Sequence, residues 1–225
     1  MRIPTIEELF DLSHSKAGSY LRGFRYVYEA LSGLRDMIED LGPTLLAEGY
    51  EQLAPYVWVS REARIDPSAH LGPYTVIGAR TEVRPGAYLR GDVLVGEDAV
   101  IGNSTELKGA ILFDGVQVPH YNYVGDSVLG YRAHMGAGSI ASNFRSDKGE
   151  IILRCEEQQI STGRRKLGTA LGDFAEIGCN AVLCPGSFVG RESIVYPLSC
   201  VRGVIPPRHI YKGEGVCVER KEKER

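Results

Sequence analysis

"VSREARIDPSAHLGPYTVIGARTEVRPGAYLRGDVLVGEDAVIGNSTEL", Val59 to Leu107, carries an aliphatic residue at every sixth position. Val59, Ile65, Leu71, Ile77, Val83, Leu89, Val95, Ile101 and Leu107 follow one another without a slip. Four residues after each stands a small or β-branched side chain: Ala63, Ala69, Thr75, Thr81, Ala87, Val93, Ala99, Thr105 and Ile111. Glycine often follows the aliphatic directly, as at Gly72, Gly78, Gly96 and Gly102. A six-residue repeat with one apolar position is the pattern of a parallel β-helix. Each hexad supplies a short strand and a corner, and three hexads close a triangular coil. The aliphatic residue fills the interior, the small residue fits the corner, and coils stack at sheet spacing, about 4.8 Å. The fold class is therefore mainly β, a left-handed parallel β-helix of hexapeptide repeats, an exception to the right-handed preference of parallel crossovers.

The phase runs on through Leu112, Val118, Val124, Leu129 and Met135, with two hexads shortened to five, and resumes at Leu171, Ile177, Leu183, Val189, Val195 and Val201. These limits predict a β-helical domain over 58–205, an inserted loop over 141–170, a preceding segment 1–57 and a tail 206–225. Between Thr5 and Gly49 the spacing changes. Leu21, Phe24, Tyr28, Leu31, Leu34, Ile38, Leu41 and Leu45 recur every three or four positions, an amphipathic helical stripe with breaks expected at Gly18, Gly23 and Gly42-Pro43. The stripe needs a cover, from the rest of the chain or from another subunit.

Composition narrows the function. The chain has 225 residues, 43% of them hydrophobic, and a net charge of −3. That balance gives no reason to expect nucleic acid or an anionic membrane as a partner. The N-terminus, "MRIPTIEELFDL", has acidic residues where a signal peptide has an apolar run, which reads as a soluble, cytoplasmic protein. Cys155, Cys179, Cys184, Cys200 and Cys217 form no CxxC pair and are odd in number, so they read as small buried apolar residues rather than a disulfide framework.

Counting hexads from Val59 puts every third one on the same face, so those beginning at Val83, Ile101, Val118 and Met135 share a face in successive coils. His120 and Ala137 are then stacked third residues of two such hexads, Glu106 and Tyr123 share a corner, and Arg84 lies two coils before His120, roughly 10 Å away. The loop holds Arg145, Lys148, Arg154, Arg164, Arg165 and Lys166 against Asp147, Glu150, Glu156 and Glu157. An interruption of this length is a solvated loop or a flap that reaches a neighbouring subunit and grips an anion.

The stretch "HYNYVGDSVLGYRAHMGAGSIASNF" (His120–Phe144) resembles the acetyltransferase domain of the bifunctional glucosamine-1-phosphate acetyltransferase / N-acetylglucosamine-1-phosphate uridyltransferase family. The resemblance extends through "VRPGAYL" (Val83–Leu89), "TELK" (Thr105–Lys108) and "KLGTALGDFAEIGCNAVLCPGSFVG" (Lys166–Gly190). It implies His120 as general base, with Glu106 near enough to orient it, and the Ala137 N–H as the contact to the acetyl-CoA carbonyl. It implies Arg84, Lys108, Tyr123, Asn143 and Lys166 as sugar-phosphate ligands, and Cys179 and Pro197 beside the coenzyme. Acetyl-CoA is then a co-substrate, no metal is expected, and a homotrimer with shared active sites is implied. The chemistry agrees: an amine acceptor must lose a proton, and histidine titrates near neutrality. A fixed backbone N–H suits an oxyanion, and Arg and Lys suit a phosphate.

Three departures stand out. His134 replaces a sugar-contacting asparagine, Phe144 replaces a tyrosine, and Cys179 replaces a serine. Residues 1–57 hold no glycine-rich nucleotide loop after a strand, so uridyltransferase activity is not expected of this chain. Two other functions compete with an amino sugar N-acetyltransferase. One is a zinc enzyme of the γ-carbonic-anhydrase type, for which His120, His134 and a third ligand would be required. The other is a non-catalytic trimeric scaffold that binds a sugar nucleotide.

Overall fold

One aliphatic side chain per hexad turns into the interior of a triangular coil, and three sheets result. A computed structural model describes residues 2–156 and 158–221. Among these, the first sheet carries eight parallel strands, beginning at Val57–Ser60, Thr75–Ile77 and Val93–Val95 and ending at Val204–Ile205. The second carries eight, from Arg64–Ile65 to His209–Gly213, and the third seven, from His70–Leu71 to Cys200–Val201. The architecture is the left-handed parallel β-helix the period predicts. The inward column from Ile77 to Ile205 is buried at every coil. Each such side chain contributes about 1.5–3 kcal/mol of hydrophobic stabilisation. Corner hydroxyls are buried and satisfied: Thr81 Oγ1 donates to the Gly96 carbonyl at 2.7 Å and Thr105 Oγ1 to that of Val118 at 2.9 Å.

The five-residue hexad Leu107–Ile111 shifts one corner. Ala110, not Ile111, pairs with Val93, and Ile111 pairs with Leu94 in the outward column of the first face. That outward column is apolar and buried: Trp58, Val76, Leu94, Ile111, Val128, Ala170 and Phe188. The N-terminal segment helps to cover it, so the helical stripe finds its cover within its own chain. Leu21, Leu34, Ile38 and Leu45 are buried in the same core as the first-face column.

The segment folds as several short helices and one longer helix, Leu34–Leu45. Gly42-Pro43, expected as a break, lies inside that helix. Gly42 has a packing role there, because a Cβ would fall 2.3 Å from the Trp58 ring, and its absence lets the helix rest on the indole. Arg35 fixes the helix laterally with a two-pronged bond to Asp92 at 2.8 and 2.9 Å while lying over the Tyr74 ring.

Both segment boundaries move. The predicted tail continues the repeat: His209–Gly213 pairs in parallel with Ile194–Val195, and Val216–Glu219 folds back on it as an antiparallel strand. Residues 222–225 of that tail lie outside the described residues, as does Glu157 of the loop. Ala141 and Ala170 belong to coil strands, and the insertion between them contains an antiparallel hairpin, Ile152–Cys155 with Gln158–Ser161. Ile151 and Leu153 are buried. The cysteines differ from expectation too: Cys155 is buried, Cys184 is half-buried, and Cys179, Cys200 and Cys217 are exposed.

Asp173 ties the N-terminal segment to the coils. Its fully buried carboxylate accepts the Asp11 N–H at 2.7 Å and the Tyr131 N–H at 2.9 Å, and pairs with Arg191 at 2.8 Å. Asp173→Ala strands these donors and should lower unfolding free energy by about 3 kcal/mol. A urea-denaturation midpoint equal to that of the parent would contradict this role.

Candidate active site

His120 ends the strand Gln117–His120 on the second face, paired with Asn103 of the preceding coil. Its backbone is pinned. The Gly138 N–H donates to the His120 carbonyl at 3.0 Å, and the His120 N–H donates to Asn122 Oδ1 at 3.1 Å. Asn122 is buried, and its amide donates to the Gly136 carbonyl at 2.9 Å and to Ser139 Oγ at 3.1 Å. The imidazole itself is exposed, and no hydrogen-bond or charge partner engages it among the described residues.

The pairing of His134 with Glu176, and of Glu176 with Ile194, carries the same register down the face. Ala137, Cys179 and Pro197 therefore stack below His120 as third residues of successive hexads, at intervals of about 4.8 Å. In the two coils below, the second residue donates into the ladder: Gly136 N–H to the Ile177 carbonyl at 2.7 Å and Gly178 N–H to the Val195 carbonyl at 2.8 Å. The third does not, so the Ala137 N–H has no acceptor among the described residues while its carbonyl accepts from Asn180 N–H at 2.8 Å. A free imidazole and a free amide N–H thus lie along one exposed edge.

A second group forms on the third face, toward its far edge. Lys108 Nζ pairs with Asp126 Oδ1 at 2.7 Å, and the buried Asn143 amide donates to Asp126 Oδ2. Tyr123 is level with Glu106 and Ile140 in the strand register. Its hydroxyl and the Asn143 amide lie over Gly125, where a Cβ would meet them at 2.5 and 2.6 Å. Burial pushes the Tyr123 phenol above its ordinary pKa, and the charges of Asp126 and Glu106 add to this. Lys166 forms an antiparallel bridge with Phe144, and its exposed ammonium has no partner among the described residues.

Within one chain the structure thus stacks His120, Ala137, Cys179 and Pro197, and gathers Lys108, Tyr123 and Asn143 near one another. It does not bring Glu106 to His120. Glu106 lies in the strand Glu106–Lys108 and takes Arg90 at 3.0 Å, because Arg90 stands one coil back on that same face. Arg84 is turned to Glu82 at 3.0 Å, and His134 Nδ1 to Glu176 at 2.8 Å. The residue missed from the sequence is Asp126, although it closes the Tyr-x-Gly-Asp string that carries the resemblance. No three His, Cys, Asp or Glu side chains among the described residues come together as metal ligands, which gives the zinc reading no support. No helix among them is long and apolar enough to cross a membrane.

This edge of exposed third-position residues on a hexapeptide β-helix is the setting in which the comparisons with known proteins fall. No protein-family model matches the chain. Over 114 residues it is 36% identical to a bifunctional sugar-1-phosphate nucleotidylyltransferase/acetyltransferase of Sulfurisphaera tokodaii, covering 51% of this chain and 27% of that protein. Over 123 residues it is 31% identical to the bifunctional protein GlmU of Methanococcus maripaludis, covering 54% of this chain and 29% of that protein. The chain therefore matches little more than a quarter of the length of these curated relatives. A solved hexapeptide transferase family protein of Anaplasma phagocytophilum is 19% identical, with 74% of this chain and 81% of that one covered and a TM-score of 0.42.

Asp126 is the keystone of the second group. Asp126→Ala removes the acceptor of both Lys108 and Asn143 and should lower stability by about 2–4 kcal/mol. Thermal unfolding at the parent temperature would show that the group does not depend on it.

Proposed function

We propose that the chain is an acetyl-CoA-dependent N-acetyltransferase whose acceptor is an amino sugar phosphate or a nucleotide amino sugar. The observation that carries the reading is the free His120 imidazole one coil above the free Ala137 N–H, on an edge with Cys179 and Pro197 below. The sequence similarity to a sugar-1-phosphate nucleotidylyltransferase/acetyltransferase supports the substrate class. In the proposed reaction His120 takes a proton from the acceptor amine as its nitrogen attacks the thioester carbonyl. The Ala137 N–H donates to the oxygen that gains charge. The new C–N bond forms, the C–S bond breaks, and the proton leaves on the thiol of coenzyme A. The coenzyme is proposed to run along the edge past Cys179 and Pro197.

The site is further proposed to be completed by a second copy in a homotrimer. His120 and the Lys108–Asn143 group stand at opposite edges of the third face, up to about 16 Å apart along the five residues from His120 to Gly125. The N-terminal segment lies against the first face, which leaves the third available. That face and its edge expose Tyr88, Ile140, Tyr121 (67% exposed) and Leu198 (80% exposed), an apolar surface of the kind a subunit covers. A non-catalytic scaffold is the second reading, favoured by the ion pair that already holds Lys108.

His120→Ala should lower kcat by about 10²–10⁴, the usual worth of a positioned general base, while circular dichroism stays unchanged. Full activity of the folded variant across a panel of amino sugar phosphates and nucleotide amino sugars would rule out this base.

A further inference from the structure

The insertion folds over the far edge of the third face and encloses a groove of about 660 Å³. Its floor is built by Ser142, Cys184 and Arg202, each following an inward residue in successive coils. Phe144 and Arg154 of the insertion form the facing wall. The charge in this groove is uneven. Arg145 is consumed by Asp147, the one acidic side chain lining it among the described residues. Arg154 and Arg202 have no ion-pair or hydrogen-bond partner for their guanidinium groups among those residues. Two unspent planar forks suit two phosphoryl groups, since each can hold phosphate oxygens in a bidentate manner. Phe144 is 41% exposed and is held by its bridge to Lys166, so its ring offers a platform for a flat heterocycle. The volume is in the range of a site for a whole small ligand rather than a single phosphate.

We propose that this groove binds a nucleoside 5′-diphosphate. Resting on the acetyltransferase reading above, we assign that nucleotide to the acceptor, which would then be a nucleoside-diphosphate amino sugar rather than a bare sugar phosphate. The groove adjoins Asn143 and the Lys166 bridge. It stands across the third face from the edge that carries His120, Ala137, Cys179 and Pro197. Coenzyme A also contains a nucleoside diphosphate, and the acetyltransferase reading assigns it to that other edge, so the titration includes it as a competing occupant.

Isothermal titration of the full chain with UDP, GDP, ADP, coenzyme A and inorganic pyrophosphate tests the assignment. At least one nucleoside diphosphate should bind. Arg154→Ala with Arg202→Ala should weaken it about 100-fold, about tenfold for each guanidinium removed. The Arg154→Lys, Arg202→Lys protein should fall between. Phe144→Ala should weaken nucleotide binding and leave pyrophosphate binding unchanged, and coenzyme A affinity should be the same in all variants. Absence of nucleoside diphosphate binding, or equal binding by the double alanine variant, overturns the proposal. Loss of coenzyme A affinity in step with the arginines overturns the acceptor assignment. His120-dependent acetyl transfer without nucleotide binding would sink this inference alone. Nucleotide binding without any transfer would leave the groove standing and sink the acetyltransferase reading.

Discussion

The column of inward aliphatics, one per hexad, is the constraint from which the rest of the molecule follows. Because Val118, Met135, Ile177 and Val195 stack inside the second face, every residue at a given offset from them stacks outside it. Position in the hexad becomes position in space. A third-position residue such as His120 is carried by the same coil that supplies the core, so it can be exposed without loosening the fold. The short hexads matter for the same reason. Skipping one residue after Leu107 keeps Leu112 inside while placing Ile111 beside Leu94 under the N-terminal segment.

An apolar outer face would be a liability for a solenoid, and this chain covers one of its three. Helix Leu34–Leu45 rests on Trp58, the Phe10 ring meets Phe113 at 5.1 Å, and the Leu9 carbonyl accepts from the Asp173 N–H at 3.0 Å. The insertion is fastened to the same segment: Arg164 donates to Ser32 Oγ at 2.7 Å, and Gln158 Oε1 accepts the Ile3 N–H at 2.8 Å. Both additions therefore brace the coils, and the edge bearing His120 stays open. This division of labour lets one edge be shaped for a ligand while the opposite side supplies stability.

The period of six made the coils legible, and counting in it was enough to stack Ala137 under His120 and to set Glu106 level with Tyr123. What could not be counted was the reach of side chains. Glu106 satisfies its charge with Arg90 in the same face, a choice between neighbours that spacing does not distinguish from a bond to His120. The ends of the repeat were also obscure. His209–Gly213 pairs with Ile194–Val195 without the small-residue corner that marked earlier hexads. Gly42-Pro43 reads as a helix stop, and only the Trp58 ring beneath it explains why the helix continues. Several corners adopt left-handed backbone at non-glycine residues, Tyr74 at φ 57° and Leu198 at φ 60° among them, which local preference disfavours and the stacked coils impose.

In the proposed homotrimer, His120 of one chain works with the anion-binding edge of another. His120→Ala and Lys166→Glu each disable one half, and both residues are exposed enough to leave the coils intact. Co-expressing the two variants under different affinity tags and purifying the mixed oligomer gives the direct measurement. If the site is shared, random pairing of halves restores about a quarter of parent acetyl-transfer activity, since each half is intact in half of the chains. Activity no greater than the sum of the two separate variants would mean that each chain holds a complete site of its own.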